Sequence, residues 1–144
     1  MKLNDMNIAG AIFDMDGTLL DSMGAWRDAG SRYMRSLGLT PPLTLDDDLL
    51  RLSLAEAAAH MQALGVNKPV EEIQAGFNSM MDEFYVNQVC ARPGVSEFLS
   101  QLRRAGARIC VATASDRYQV ETALAHAGVA PYIERIFTCT ELNT

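Results

Sequence analysis

The chain has 144 residues, enough for one modest domain with a real core. Hydrophobic residues make up 49%, charged ones 21%, and the net charge is −6, which argues against a nucleic-acid partner held through clustered Lys and Arg. No apolar run is long enough to span a bilayer and the N-terminus carries no apolar signal core, so a cytoplasmic protein without a membrane partner is expected.

In chain order, the run Asn7 to Phe13 reads as a first strand, closed by Asp14-Met15-Asp16-Gly17-Thr18. An apolar run of this length before a glycine turn fits a buried strand of a parallel sheet. Ser22 can cap a helix that runs to Leu37 and stops at Gly38, with Met23, Trp26, Tyr33, Met34 and Leu37 along one face. Asp21 is an alternative cap. Thr40-Pro41-Pro42 breaks the chain. Asp46-Asp47-Asp48 reads as a solvated loop or the start of a short helix. Ser53-Leu54-Ala55-Glu56 matches a capping box, which starts a helix from Leu54 to Leu64. Pro69 suits a first helical position, and Val70, Ile73, Phe77, Met80 and Phe84 mark a third long helix. Trp26 and Met23, Met34, Met80 and Met81 read as core of this helical stretch.

The character changes at Ala91-Arg92-Pro93-Gly94. A helix carrying Val95, Phe98, Leu99 and Leu102 leads to a second buried strand, Arg108 to Ala112, which ends in Thr113-Ala114-Ser115. Ser115 can cap a helix that stops at Gly128, and Ile133 to Cys139 reads as a third strand. Cys90, Cys110 and Cys139 fit no CxxC pattern and read as reduced thiols, Cys110 as a small apolar residue of a buried strand. His60 and His126 have no partners at metal-ligand spacing. The fold expected is α/β, a Rossmann-like parallel sheet with an inserted helical domain: residues 1–18 and 91–144 form the α/β core and residues 19–90 the helical insert.

The chemistry concentrates at the end of the first strand. Alternation along a strand would send Asp14 and Asp16 to one side, at the end where open α/β sheets place ligands. Two such carboxylates repel unless a cation lies between them or one keeps a proton.

Asp14-Met15-Asp16-Gly17-Thr18, followed by Leu19-Leu20-Asp21-Ser22, resembles the first motif of the haloacid dehalogenase-like phosphohydrolases. Ile109-Cys110-Val111-Ala112-Thr113 is similar to their second motif, and Arg92-Pro93-Gly94-Val95 is typical of the branch with a helical cap inserted after the first. The resemblance covers the whole chain. It implies a Mg²⁺-dependent phosphatase acting on a small phosphorylated metabolite. Asp14 would be the nucleophile that forms an aspartyl-phosphate, and Asp16 the acid and then the base. Asp14 and the backbone carbonyl of Asp16 would be metal ligands, and Thr113 with the backbone N–H of Ala114 would bind the phosphoryl oxygens. Arg51 and Ser53, before the second cap helix, would contact substrate. An Asp at position 16 favours phosphoryl transfer over carbon–halogen cleavage.

The resemblance also implies a Lys beyond the third strand and late acidic residues, and this chain has neither. A truncated, weak or inactive fragment is therefore expected, with an exposed apolar sheet edge that could seal by self-association. Glu141 reads as part of a solvated tail. The alternative functions are a sugar phosphomutase of the same family and a non-catalytic fragment that binds a partner through the sheet edge.

Overall fold

The structure is a computed structural model that describes residues 2, 3 and 5–142, with Leu3 described by its backbone alone. Asn143 and Thr144, the end of the expected tail, lie outside the described residues. The chain divides into two compact units, residues 1–22 with 85–144, and residues 23–84.

The first unit is α/β. Two short strands, β1 (Lys2–Leu3) and β2 (Met6–Asn7), pair as an antiparallel hairpin at the start of the chain. Asp5 takes the left-handed conformation in its turn, with φ 65°. The expected first strand is thus shorter at its start, because Met6 and Asn7 pair with β1. The strand proper is β3 (Gly10–Phe13). It pairs in parallel with β4 (Arg108–Thr113), which pairs in parallel with β5 (Arg135–Thr138), giving the order β3-β4-β5. The register sets Phe13 opposite Val111, and Thr113 opposite Thr138. The α/β class with a parallel sheet is as the sequence reads.

Each connection in this unit steps the sheet in the same direction. Right-handed crossovers then put both connecting helices on one face. The helix before β4 (Val95–Arg104) packs on β4, and the helix Arg117–His126 packs on β5. Under them Ile109, Val111, Thr113 and Thr138 are buried, and the Phe98 ring meets Phe13 edge-on with centroids 6.3 Å apart. The opposite face carries Gly10, Ile12, Arg108, Cys110, Ala112, Arg135 and Phe137, none of them buried. Ile12 is 73% exposed, so β3 is not the buried strand its apolar sequence predicts. Cys110 is half-buried for the same reason: it points to the uncovered face.

The second unit is helical. The predicted helix from Ser22 to Leu37 is two, α1 (Met23–Arg27) and α2 (Ala29–Ser36), broken at Asp28. The helices α3 (Leu45–Leu49), α4 (Leu54–Ala63) and α5 (Val70–Asn87) follow. The helices of the first unit are then α6 (Val95–Arg104), α7 (Arg117–His126) and α8 (Cys139–Leu142), with a 3₁₀ turn at Ala130–Tyr132. Ser53 caps α4 by accepting from the Glu56 N–H at 3.2 Å, as the capping box predicts. Ala29, Tyr33, Met34, Leu45, Met61, Ile73 and Phe77 form the helical core, with Tyr33 stacked on Phe77 at 5.6 Å. Met34 and Met81 are buried as expected, but Met23 is 49% exposed. The acidic run is not merely solvated, since Asp46 accepts from the Ser31 hydroxyl at 2.6 Å and ties α3 to α2. Glu141 is likewise anchored rather than free. Its carboxylate binds the Arg117 guanidinium, with one contact at 2.7 Å, and that guanidinium also donates to the Ile136 carbonyl at 2.8 Å.

Among the described residues no helix is long and apolar enough to cross a membrane.

Candidate active site

The strand β3 ends at Phe13, so Asp14 and Asp16 lie on the loop beyond it rather than within the pleat. Strand alternation therefore does not govern their directions. The loop is tight because one carbonyl organises it: Met15 O accepts the N–H groups of Thr18, Leu19 and Leu20 at 3.2, 3.0 and 3.1 Å. Such a turn needs one residue in the left-handed region, and Gly17 supplies it with φ 77°. Met15 points inward and is fully buried, which pins the loop to the core between the two acids.

The returning chain braces the loop from the other side. Leu20 bridges Ala91, Asp21 N–H donates to the Cys90 carbonyl at 2.9 Å, and Arg92 N–H donates to the Leu19 carbonyl at 2.9 Å. The Arg92 guanidinium then donates to the Gly17 carbonyl at 2.7 Å.

The two carboxylates have different surroundings. Asp14 is exposed and accepts the neighbouring Met15 N–H at 2.9 Å. Asp16 is half-buried and accepts three hydroxyls. Ser22 donates to its Oδ1 at 2.6 Å, Tyr85 to the same oxygen at 2.7 Å, and Ser115 to Oδ2 at 3.2 Å. Ser22 and Ser115, both expected as helix caps, thus direct their hydroxyl protons to Asp16. The N-cap of α7 is Asp116 instead.

Thr113, the last residue of β4, is buried, and its Oγ1 accepts the Ser115 N–H at 3.2 Å. Ala114 follows it and is exposed. Ser115 therefore links the Thr113 strand end to Asp16 by one bond from its backbone and one from its hydroxyl. Arg51 and Ser53 lie in the helical unit. Both are exposed, and Ser53 also lines a cavity of about 140 Å³ with Trp26, Asp46, Leu52 and Phe77.

The fit to a divalent cation follows from donor type. Magnesium takes oxygen ligands, keeps several waters and needs only one or two carboxylates. The exposed Asp14 carboxylate and the main-chain carbonyl of Asp16 are donors of that kind. Among the described residues no group of three or more His, Cys, Asp or Glu side chains forms a closed metal cage. His126 binds the Val89 carbonyl through Nδ1 at 2.7 Å, a structural contact.

Tyr85, Ser22 and Ser115 were not foreseen as site residues. The two serines were visible as helix-start residues, while Tyr85, 69 positions from Asp16, carries no local signal.

Comparison with known proteins identifies the family. The family profile of haloacid dehalogenase-like hydrolases matches residues 11–140, from β3 into α8. A phosphoglycolate phosphatase of Caulobacter vibrioides is 31% identical over 143 residues, covering 93% of this chain and 59% of that protein. Hexitol phosphatase A of Escherichia coli is 30% identical over 103 residues, 70% of this chain and 46% of its own length. The chain thus spans about three fifths or less of these relatives. In fold, it resembles a candidate beta-phosphoglucomutase from Thermotoga maritima with TM-score 0.81 at 20% identity, over 95% of this chain and 64% of that one. CbbY from Rhodobacter sphaeroides, solved in complex with phosphate, gives TM-score 0.72 at 21% identity, over 90% of this chain and 63% of its own. The acidic loop and the β4 strand end both fall inside the matched span, and the chain belongs to the haloacid dehalogenase-like hydrolase family.

Proposed function

We propose that the chain carries the nucleophile and the acid–base of a Mg²⁺-dependent phosphohydrolase that cleaves a small organic phosphomonoester. The observation behind this reading is the unequal pair: an exposed Asp14 beside an Asp16 held by three hydroxyls. One carboxylate is open to a substrate, and the other is oriented for proton work. The family membership and the named phosphatases among the relatives support hydrolysis.

In this reading an Asp14 carboxylate oxygen attacks phosphorus as the ester P–O bond breaks. The departing oxygen takes its electron pair and a proton from Asp16, which releases the alcohol. Asp16, now a carboxylate, draws a proton from water as that water's oxygen attacks the phosphoryl group. The Asp14–phosphoryl bond breaks, which restores the Asp14 carboxylate, a protonated Asp16 and inorganic phosphate. The Thr113 hydroxyl and the Ala114 N–H steady the phosphoryl oxygens as neutral donors. Asp14 and the Asp16 carbonyl would hold Mg²⁺, which when bound offsets charge on the phosphoryl oxygens. Substrate selection is assigned to the helical unit, with Arg51 and Ser53 as its candidate contact residues.

The test is release of nitrophenol from p-nitrophenyl phosphate by the purified protein. Expected is a slow release that requires Mg²⁺, stops with chelator and is abolished in Asp14→Asn. Equal release by the native protein and Asp14→Asn would overturn the reading.

A further inference from the structure

The chain passes between its two units twice, at Ser22/Met23 and at Phe84/Tyr85. The α/β-side residue of each crossing sends its hydroxyl to the same atom, Asp16 Oδ1, at 2.6 and 2.7 Å. A carboxylate torsion is soft and roughly two-fold, so an Asp side chain left alone samples a broad range. Two short bonds on one oxygen and one on the other narrow that range. The three donors are not equivalent. A serine hydroxyl rotates about its own Cβ–Oγ bond and can follow a moving acceptor. The Tyr85 ring is fully buried, so its oxygen is a fixed point.

We propose that Tyr85 is a positioning residue for Asp16, a role that rests on Asp16 being the acid–base of the proposed reaction. Tyr85 touches neither phosphorus nor the leaving group in this scheme. It acts by holding the Asp16 carboxylate at the place from which a proton reaches the departing oxygen. A misplacement of the order of an ångström can cost about a hundredfold in rate, and general acid catalysis as a whole about 10²–10⁴.

The variant is Tyr85→Phe, which keeps the buried ring and removes only the hydroxyl. The readout is kcat/KM on two substrates, since this quantity reports the first phosphoryl transfer. An alkyl phosphate has a strongly basic leaving oxygen and needs the acid; p-nitrophenyl phosphate leaves without it. Expected is a loss of about tenfold or more on the alkyl ester, with less than about twofold on the nitrophenyl ester. An equal loss on both, the mark of a merely structural role, or no loss on either, would overturn the proposal.

A second measurement does not need turnover. The carboxyl-carbon NMR resonance of Asp16, assigned through Asp16→Asn, should shift in Tyr85→Phe while that of Asp14 stays in place. An unmoved Asp16 resonance would overturn the positioning role on its own. Absence of Mg²⁺-dependent turnover in the native protein would count against the phosphohydrolase, and the resonance would still decide whether Tyr85 holds Asp16.

Discussion

A carboxylate that accepts three hydroxyls is held differently from one that accepts a neighbouring backbone N–H, and Asp16 and Asp14 differ in this way. The same logic reaches Thr113, whose buried Oγ1 is the acceptor for the Ser115 N–H. Thr113→Val keeps the shape and removes the acceptor. It should cost about 1–3 kcal/mol in urea unfolding, while Thr113→Ser keeps most of that. Equal unfolding midpoints for Thr113→Val and the native protein would show that water replaces the lost acceptor. Asp14, Asp16 and Thr113 were legible in the sequence because each stands at the end of an apolar run, where chain direction and burial both change. Ser22 and Ser115 were legible only as capping candidates. A hydroxyl at a helix start has two uses, and local sequence cannot choose between a backbone N–H and a carboxylate that folding brings near. Tyr85 was hidden because its partner lies across the whole helical insert.

At the scale of elements, close approaches and ion pairs decide what periodicity alone does not. Gly76 in α5 faces the Tyr33 ring of α2 so closely that an added Cβ would overlap it. The ring is stacked on Phe77 and has little room to yield. Gly76→Ala should therefore destabilise the protein by about 1–3 kcal/mol through overpacking. That outweighs the gain of about 1 kcal/mol in helix propensity. A raised urea midpoint would show that the ring swings aside. The last helix, α8, is held through Glu141, whose carboxylate lies below its ordinary pKa because Arg117 donates to it; Arg117 is raised in turn. A depressed carboxylate contributes stability above its ordinary range and loses it as pH falls through the lowered value. The pair is solvent-exposed, so its effect is small and screened by salt. The difference in thermal midpoint between native protein and Glu141→Gln should be present at about pH 7 and close on acidification below about pH 4. A gap that persists in acid would assign the anchoring to something other than the ion pair. Glu141 is exposed, as its reading as solvated tail implies, but its ion pair with Arg117 was not legible because it depends on the packing of α7 on β5, a contact with no sequence signature.

For the molecule as a whole, the fold class was legible because hydrophobic runs and helical stripes alternate in the order a parallel sheet requires. Which strand faces solvent was not, since an apolar run looks the same at an edge as in the middle. With both crossovers stepping the same way, Ile12 and Phe137 on the uncovered face and the free side of β3 are all open among the described residues. Sedimentation of the native protein should show concentration-dependent association, and Ile12→Lys should reduce it; a monodisperse monomer at all concentrations would refute this.

The open face and the open edge also set the symmetry that such association can have. A two-fold contact that pairs β3 with β3 satisfies the strand's backbone groups and leaves both faces bare. A two-fold contact that stacks face on face hides Ile12 and leaves both edges unpaired. Neither closes the assembly, so a dimer made by one contact still presents the other, and growth can continue copy upon copy.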